Sequence, residues 1–385
     1  MLIVLTIRTC LKFDGRVLAQ IHTLADYYKN DTFKVLLFSN CDNLELKLPS
    51  NVEVITFKMI TTRLPEVNYF LLFKLFEFGI ISFSKLKKLK PDIIHVHDEF
   101  AIPGSLLYKK RKKEKVKLIY DDHELYNLDE KSSFYRKLRR WLEFKMFKSA
   151  DRIIMANQYR ADYAKKKIKY LEKKEITIID NYQYDFGEEK DLGKINFKFE
   201  RGIKYIINQG VINEYRGSET LKQVVYNLPK NWRLVLLGNT RENYEEFIGG
   251  LVKNKESVVY GGRLPQEDVA LFWEQVQAAV IFYQTDRINE RFCAPNRLFQ
   301  AANLGLPLIV NQNPVLADFV KMNRCGIVLT DNIIEQQDLI SGFFKNYIQI
   351  EENAAKMKNK YSYDEVGKRL IGLYQQILEN KKKDN

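Results

Sequence analysis

The chain has 385 residues, of which 45% are hydrophobic, so it is long enough to bury the cores of two domains. It carries 62 Lys and Arg against 49 Asp and Glu, and residues 1–200 alone hold 38 of these cations and 28 of these acids. The basic half indicates an acidic partner: nucleic acid, an anionic membrane surface or a phosphorylated substrate. No run of 18 apolar residues is present, which argues against a membrane-spanning helix.

The predicted elements begin with an apolar run at residues 2–7, which we interpret as a strand because no signal-peptide cleavage site follows it. Apolar residues then recur at helical spacing from Val17 to Tyr28. Strand-like runs of this first series cover residues 2–7, 34–39, 52–57, 92–97, 117–122, 152–157 and 176–180. Their alternation with helical patterns predicts a parallel sheet that helices cover on both faces.

The alternation stops in a polar and charged stretch at residues 182–202 and then resumes. Strand-like runs of the second series cover residues 204–210, 233–239, 257–262, 278–284, 306–312 and 326–330. We therefore predict an α/β protein with two Rossmann-like, doubly wound domains. Their predicted bounds are 1–185 for the N-terminal domain, 186–201 for the linker and 202–385 for the C-terminal domain, and packing of the last helix back on the N-terminal domain is left open. Ligands are expected beyond the carboxyl ends of the strands, in a cleft between the domains.

Three of the four histidines lie at the ends of neighbouring predicted strands. His95 and His97 end the fourth strand, and His123 follows the fifth. Zinc binding is one interpretation, but no cysteine lies nearby and the sequence does not fix the ligand geometry. Asp121 and Asp122 are adjacent on a strand, so their side chains point to opposite faces and need not converge on one ion. We therefore predict no metal site.

Two strand-to-helix junctions carry residues that suit a phosphate group. Gly15 opens the first helix and Gly210 ends the first strand of the second series, and a glycine lets a ligand approach the backbone closely. Arg216 lies at the start of the helix after Gly210, where its cation and the helix N–H groups suit a phosphate. An ordinary turn glycine or surface arginine is the alternative in each loop.

Residues 289–307 place polar side chains in an otherwise apolar short helix. If Pro295 takes the first helical position, the amides of Asn296 and Arg297 have no intrahelical partner, and the helix dipole adds positive charge there. These residues would form a phosphate cradle, with Gln300 one turn further along. An ordinary proline-capped helix with solvated polar residues is the alternative.

The ordered series of these segments resembles the retaining nucleotide-sugar glycosyltransferases of family four, which have the two-domain GT-B fold. The resemblance covers nearly the whole chain and rests on the segments DGRVLAQIHTLA, PDIIHVHDEFAIPG, KLIYDDHELY, ADRIIMANQYRADYA, QGVINEYRGSETL, LVLLGN, VVYGGRLPQEDVALFWEQVQAAV, APNRLFQAANLGLPLI and NRCGIVL. Each segment alone is weak, whereas their order is specific. The resemblance implies sugar transfer with retention, without a metal ion or another cofactor.

The resemblance also implies roles for single residues. His123 matches the histidine beside the transferred sugar, Arg216 the basic residue that holds the donor diphosphate, and Gly15 the loop beneath that diphosphate. Gln300 and Phe292 stand where the family usually has two glutamates, so both carboxylates are missing, and Glu290 or Asn289 is the alternative contact to the sugar. The predicted catalytic residue is His123, and the predicted donor-binding residues are Gly15, Gly210, Arg216, Glu290, Asn296, Arg297 and Gln300.

Residues 131–152 predict a basic amphipathic helix. Six cations from Arg136 to Lys148 stand against one acid, Glu143, and Phe134 and Trp141 lie along one helical face. Such a helix suits an anionic membrane surface, and burial of its apolar face inside the domain is the alternative.

The sequence thus predicts a hexosyl-type glycosyltransferase that uses a nucleotide-sugar donor and a glycan or lipid-linked acceptor in surface polysaccharide or glycoconjugate biosynthesis. Its four cysteines form no metal-spaced pair, which fits reduced thiols in the cytoplasm, with peripheral contact at the inner face of the membrane. A non-catalytic nucleotide-sugar-binding protein or partner subunit is the alternative, because Phe292 and Gln300 replace the glutamates. Nucleic-acid binding is a third hypothesis, but no recognition motif for it is present.

Overall fold

The computed structural model divides the chain into two compact units: unit 1 contains residues 1–180 and 363–385, and unit 2 contains residues 181–362. The residues that the structure describes are 1–9, 11, 14–38, 47–65, 67–112, 115–124, 134–182, 184, 197, 199–213, 217–238, 246, 249–251, 257–262 and 266–383. Most of the predicted linker, residues 186–201, therefore lies outside the described residues.

Several helices begin after a residue whose side chain accepts a hydrogen bond from their first free N–H groups. The described helices are α1 (Gly15–Tyr27), α2 (Asn68–Leu89), α3 (Ile102–Lys112), α4 (Phe134–Ser149), α5 (Gln158–Lys167), α6 (Ser218–Tyr226), α7 (Gln266–Gln275), α8 (Ile288–Arg291), α9 (Asn296–Leu304), α10 (Pro314–Asn323), α11 (Ile333–Lys345), α12 (Tyr347–Ala355) and α13 (Tyr363–Lys383). The Asp14 carboxylate caps α1 by accepting a hydrogen bond from the amide of Val17 at 3.2 Å, and Asn157 caps α5 in the same way. None of the helices in the described part of the chain combines the length and apolar content needed to cross a bilayer.

Unit 1 is built on a seven-stranded sheet with the order β3-β2-β1-β4-β5-β6-β7. Its strands are β1 (Leu2–Arg8), β2 (Thr32–Phe38), β3 (Val52–Thr56), β4 (Ile93–His97), β5 (Lys117–Asp122), β6 (Arg152–Met155) and β7 (Ile176–Ile178). All of their pairings are parallel. Every residue of β4 and β5 is buried, as expected of strands that helices cover on both faces.

Unit 2 is built on a six-stranded parallel sheet with the order β10-β9-β8-β11-β12-β13. Its strands are β8 (Lys204–Gln209), β9 (Trp232–Leu237), β10 (Val258–Gly262), β11 (Ala278–Ile281), β12 (Leu308–Asn311) and β13 (Gly326–Leu329). In each sheet the first strand of the unit, β1 or β8, has the next two strands on one side and all later strands on the other. This reversal of strand order is typical of doubly wound sheets. The predicted fold class is confirmed.

The last helix, α13, belongs to unit 1 and packs against α1 and β7. Arg369 donates hydrogen bonds to the carbonyl of Ile178 and to the carboxylate of Asp180, both at 3.0 Å. On its inner side, Tyr374 is fully buried, and its hydroxyl lies 2.9 Å from Nδ1 of His95 in β4. The helix therefore reaches the strand that carries two of the three clustered histidines.

Candidate active site

The carboxyl ends of β4 and β5 bring three histidines and one aspartate together. His97 pairs with Asp121 across the two strands, so both side chains point to the same face of the sheet. The rings of His95 and His97 stack with their centroids 4.3 Å apart, and His97 Nδ1 lies 3.2 Å from Nε2 of His123. The sequence therefore correctly placed three histidines at neighbouring strand ends.

Helix α1 supplies the partners of the Asp121 carboxylate. Arg16 donates to both carboxylate oxygens, at 2.7 and 3.3 Å, and the side-chain amide of Gln20 donates to Oδ2 at 2.7 Å. Arg16 also donates to the carbonyl of Ile179 at 2.9 Å, which fixes its position. Burial opposes ionisation of Asp121, but the charges of Arg16 and His123 hold its pKa well below the usual range, so the carboxylate is ionised.

His123 lies between two carboxylates. Its Nδ1 is 3.4 Å from Oδ1 of Asp98, and its Nε2 is 3.5 Å from Oδ2 of Asp121. Burial alone would lower the pKa of His123, but these two negative charges raise it to about 9. The imidazole is therefore protonated at neutral pH, and 14% of its side chain stays exposed.

The backbone around His123 is held on both sides. Arg160 of α5 donates a hydrogen bond to the carbonyl of His123 at 2.5 Å. Asp98 has a φ of 62°, in the left-handed region, which residues other than glycine rarely adopt. Such strained residues persist where the surrounding structure determines them, and they often occur at functional sites.

His95, His97 and Asp121 each offer a ligand atom within 4.8 Å of the others, so they are a group that could hold a metal ion. The Asp121 carboxylate already accepts three hydrogen bonds from Arg16 and Gln20, and a metal ion there would lie beside the Arg16 cation, which would repel it. Nδ1 of His97 already faces His123. The geometry therefore favours an ion-pair network in this group.

Asp122 follows Asp121 on β5 and points to the other face of the sheet. Burial raises its pKa to about 7, against the charge of Arg160. Burial also holds the pKa of Glu143 in α4 well above the usual range, and Glu143 accepts a hydrogen bond from the Tyr120 hydroxyl at 3.3 Å. Glu143, the one acid of the predicted basic helix, thus lies in the core of unit 1 and not on its surface.

In unit 2, three neighbouring strands end in glycines with positive φ. The φ values are 120° at Gly210 after β8, 137° at Gly238 after β9 and 67° at Gly262 in β10. The amide of Gly210 donates to the carbonyl of Leu237, and that of Gly238 to the carbonyl of Gly262, both at 2.7 Å. A Cβ on Gly238 would lie 2.0 Å from the Gly210 carbonyl oxygen, so this position requires glycine.

We assumed that Pro295 is the first residue of helix α9, but the helix begins one residue later, at Asn296. Pro295 is its N-cap, with ψ of 148°, and Asn296 is its first residue and is exposed. The extended ψ keeps the proline out of the helix, although its missing N–H still costs no hydrogen bond. Asn181 donates to the carbonyl of Ala294 at 3.1 Å, which holds the segment before the helix.

Arg297 is directed into unit 2, with 8% of the residue exposed. Its guanidinium donates to the carbonyl of Gln209, to Oδ1 of Asn208 at 3.3 Å and to the carbonyl of Phe282 at 3.4 Å. Burial lowers its pKa to about 10, which leaves it charged. Arg297 therefore links the carboxyl ends of β8 and β11, whereas we had assumed that it faces a phosphate. Gln300 is likewise buried, with 5% exposed.

Three predicted site residues remain: Glu290, Gly15 and Arg216. Glu290 lies in the short helix α8, where its carbonyl accepts a hydrogen bond from Asn313 at 2.7 Å. Gly15 is the first residue of α1, and a Cβ there would meet nothing within 4 Å. Arg216 lies outside the described residues.

Four residues of this cluster were not predicted from the sequence: Arg16, Gln20, Asp98 and Tyr374. Arg16 and Gln20 were detectable, because they lie four residues apart on a helix whose other residues are largely apolar. Tyr374 had no local signal, since its partner His95 lies 279 residues away.

Two family models match the sequence. Residues 18–182 match the model described as Glycosyltransferase Family 4, and residues 194–362 match the model described as Glycosyl transferases group 1. No protein of curated function matches the chain significantly.

Solved structures share the fold at low sequence identity. Sucrose-phosphate synthase from Thermosynechococcus elongatus is 14% identical with a TM-score of 0.69, covering 99% of this chain and 100% of its own. WaaG, a glycosyltransferase involved in lipopolysaccharide biosynthesis, is 14% identical with a TM-score of 0.66, covering 93% and 96%. UDP-GlcNAc 2-epimerase from Neisseria meningitidis, bound to UDP-GlcNAc, is 11% identical with a TM-score of 0.65, covering 98% and 100%.

Because an epimerase shares the fold, the fold alone does not decide the reaction. The two family models do so, since together they match most of the chain in the expected order. The chain therefore belongs to the family-four type of glycosyltransferases with the GT-B fold.

Proposed function

We propose that the protein transfers a hexosyl group from a nucleotide sugar to a glycan or lipid-linked acceptor, with retention and without a metal ion. The pathway we propose is surface polysaccharide or glycoconjugate biosynthesis at the cytoplasmic side of a membrane. The observation that carries the proposal is the charge network around His123, because it keeps an N–H donor in a fixed place at a strand end.

In the proposed reaction the bond between the sugar and the diphosphate breaks, positive charge develops on the sugar, and the acceptor hydroxyl attacks from the same face. Nδ1–H of His123, whose 3.4 Å contact with Asp98 is an ion pair, donates a hydrogen bond to an oxygen of the sugar. Its charge and that of Arg16 are balanced by the two carboxylates of Asp98 and Asp121, so the cluster does not repel a cationic sugar. Fixed donors of this kind lower the barrier because they need no reorganisation during the reaction.

We propose that the departing diphosphate is stabilised by Arg216, by the first amides of α9 and by the glycine-rich strand ends around Gly210. Free helix N–H groups and cations suit a phosphate. Arg297 supports this region indirectly, because it holds the carboxyl ends of β8 and β11. Gln300 is proposed to accept a hydrogen bond from the donor ribose.

The first experiment is a thermal-shift screen of the full chain against sugar nucleotides. A nucleotide sugar that binds the folded protein raises its melting temperature, by mass action. Donors that bind are then tested, radiolabelled, for transfer to glycan and lipid-linked acceptors. Arg216→Ala should weaken transfer about 10- to 100-fold, because a charge-assisted contact contributes roughly 1.5–3 kcal/mol.

A non-catalytic donor-binding protein is the second candidate, and the replacement of both family glutamates by Phe292 and Gln300 favours it. It predicts a melting-temperature increase with one donor and no turnover with any acceptor or water. Hydrolysis or transfer by the wild type, lost in a His123→Ala variant that is still folded, would exclude it.

We further propose that unit 1 contacts an anionic membrane surface. In α4, Phe134 and Trp141 are 73% and 53% exposed beside several cations. In α2, which packs near α4, the exposed large apolar residues recur at helical spacing: Tyr69, Phe73, Phe76 and Ile80. An exposed apolar stripe flanked by cations suits a bilayer with anionic headgroups. Leu142 of α4 packs instead against the core of unit 1.

Flotation with liposomes tests this surface. The wild type should float with vesicles that contain phosphatidylglycerol and not with phosphatidylcholine alone. Phe73→Ser combined with Trp141→Ser should abolish flotation. Ile348→Ser in unit 2, where the side chain is also exposed, is the matched control and should float like the wild type.

A further inference from the structure

We propose that His97 and Asp121 are positioning residues that hold the His123 ring in one orientation beside the transferred sugar. The inference rests on the proposed function of His123 and adds residues that no sequence motif assigns to the reaction. It follows from the contacts of the His123 ring, from the burial of its neighbours and from the hydrogen bonds that fix those neighbours in turn.

The contacts of the ring define its orientation. Nε2 of His123 lies 3.2 Å from Nδ1 of His97 and 3.5 Å from Oδ2 of Asp121. Nδ1 lies 3.4 Å from Asp98 on the other side. A flip of the ring would move both nitrogens away from these partners, so the observed orientation is favoured over the flipped one.

His97 and Asp121 act through His123 because neither can touch a substrate. Both side chains are fully buried. Each oxygen of Asp121 already accepts hydrogen bonds from α1, through Arg16 and Gln20. His97 is held by stacking on His95, which in turn contacts the Tyr374 hydroxyl.

The protonation states agree with this geometry. Burial lowers the pKa of His97 well below its usual range, so this ring is neutral and one of its nitrogens accepts a hydrogen bond. Protonated His123 donates from Nε2, which makes Nδ1 of His97 the acceptor and places the hydrogen of His97 on Nε2. The titratable and charged groups that face His123 are His95, His97 and Asp98 from the β4 side, Asp121 from β5, Arg16 from α1 and Arg160 from α5, and the charge of Asp122 acts from the other face of the sheet.

The first test compares two substitutions of His97 in the full chain. In His97→Asn the amide oxygen takes the place of Nδ1 and keeps the acceptor, whereas His97→Leu keeps the volume and loses it. We expect His97→Leu to lower kcat about 10- to 100-fold with little change in KM, because a small displacement of a reacting group has effects of this size. His97→Asn should restore most of kcat. Thr6→Val is the control, since Thr6 is buried in the neighbouring strand and its hydroxyl has no hydrogen-bond partner among the described residues.

The second test measures the His123 ring directly, by NMR titration of protein labelled at histidine. In Asp121→Asn the midpoint of the His123 titration should fall from about 9 towards the ordinary histidine value of 6.5. If this variant does not fold, Arg16→Met with Asp121→Asn removes both members of the ion pair and leaves no unpaired buried charge. The midpoint should then fall less than in Asp121→Asn alone, because the Arg16 charge, which lowers the pKa of His123, is lost as well.

The two readouts separate this inference from the proposed function. If no donor is turned over but the titration midpoint of His123 falls in the Asp121 variants, the positioning stands and the proposed activity is wrong. If His97→Leu keeps the kcat of the wild type, or if the midpoint is unchanged in a folded Asp121 variant, the inference is overturned.

Discussion

Gly238→Ala tests the close approach of two strand ends in unit 2. The new Cβ would lie 2.0 Å from the carbonyl oxygen of Gly210, whereas ordinary van der Waals contacts lie at 3.4–4 Å, so one backbone segment must move by at least about 1 Å. The φ of 137° adds strain, because residues held in rare backbone regions cost about 1–3 kcal/mol each. For a unit of this size each kcal/mol lowers the melting temperature by about 2–4 °C, so the strain alone predicts a loss of roughly 2–12 °C.

The displacement should also reach the donor, because Gly210 is a predicted donor-binding residue. A shift of about 1 Å can reduce kcat/KM by about 100-fold. Thermal unfolding and transfer kinetics with the donor found by screening measure both effects. Gly262→Ala is the matched control: its φ of 67° is also strained, but a Cβ there meets no atom within 4 Å. If Gly238→Ala melts and turns over like Gly262→Ala, the backbone contact does not shape the donor site.

Three other changes have defined outcomes. Transfer should fall as the pH rises through about 9, where His123 loses its proton, and a kcat/KM profile that stays flat to pH 10.5 would show that the protonated ring is not needed. Protonation of His123 also stabilises the fold by about 3 kcal/mol, since each pKa unit is worth about 1.4 kcal/mol. This stabilisation is fully present below pH 6.5 and is lost as the pH rises through about 9. Chemical denaturation at several pH values measures the loss. Gln300→Glu should make donor affinity rise with pH as the buried carboxyl ionises, because charge-assisted hydrogen bonds are about twice as strong as neutral ones; a tenfold fall in affinity at high pH would remove Gln300 from the ribose-binding role. Gly372→Ala in α13 should raise the free energy of unfolding by about 0.5–1 kcal/mol, because the helix gains propensity and the Cβ meets nothing within 4 Å, and an unchanged or lower melting temperature would contradict this.

The sequence predicted the fold well because each strand of a parallel sheet has a local signal. The run at 117–122 coincides with β5, and the run at 306–312 contains β12 with two residues too many at its start and one at its end. Apolar continuity identifies such strands, but the ends depend on where hydrogen-bonded partners stop. The reversal of strand order was also expected from the alternation of strands and helices.

The contacts of the candidate site were harder to predict from the sequence, because they join residues that are far apart in the chain. Arg16 and Asp121 are separated by 105 residues, and only the packing of α1 on the sheet brings them together. The direction of the Arg297 side chain could not be predicted either. A helix start accommodates a guanidinium that points outward or inward, and the carbonyls at the ends of β8 and β11 decide in favour of the inward direction.

The placement of α13 in unit 1 has a consequence for synthesis on the ribosome. The chain completes the seven strands of unit 1 before it makes unit 2, and α13 follows only after residues 181–362. At about 5–20 residues per second, this delay lasts roughly 10–40 s. During that time the apolar surface that later receives Val366, Leu370 and Tyr374 is uncovered, and His95 lacks the Tyr374 hydroxyl. The nascent chain therefore exposes an apolar surface beside β4 until α13 is made, at the place where the Tyr374 hydroxyl later contacts His95.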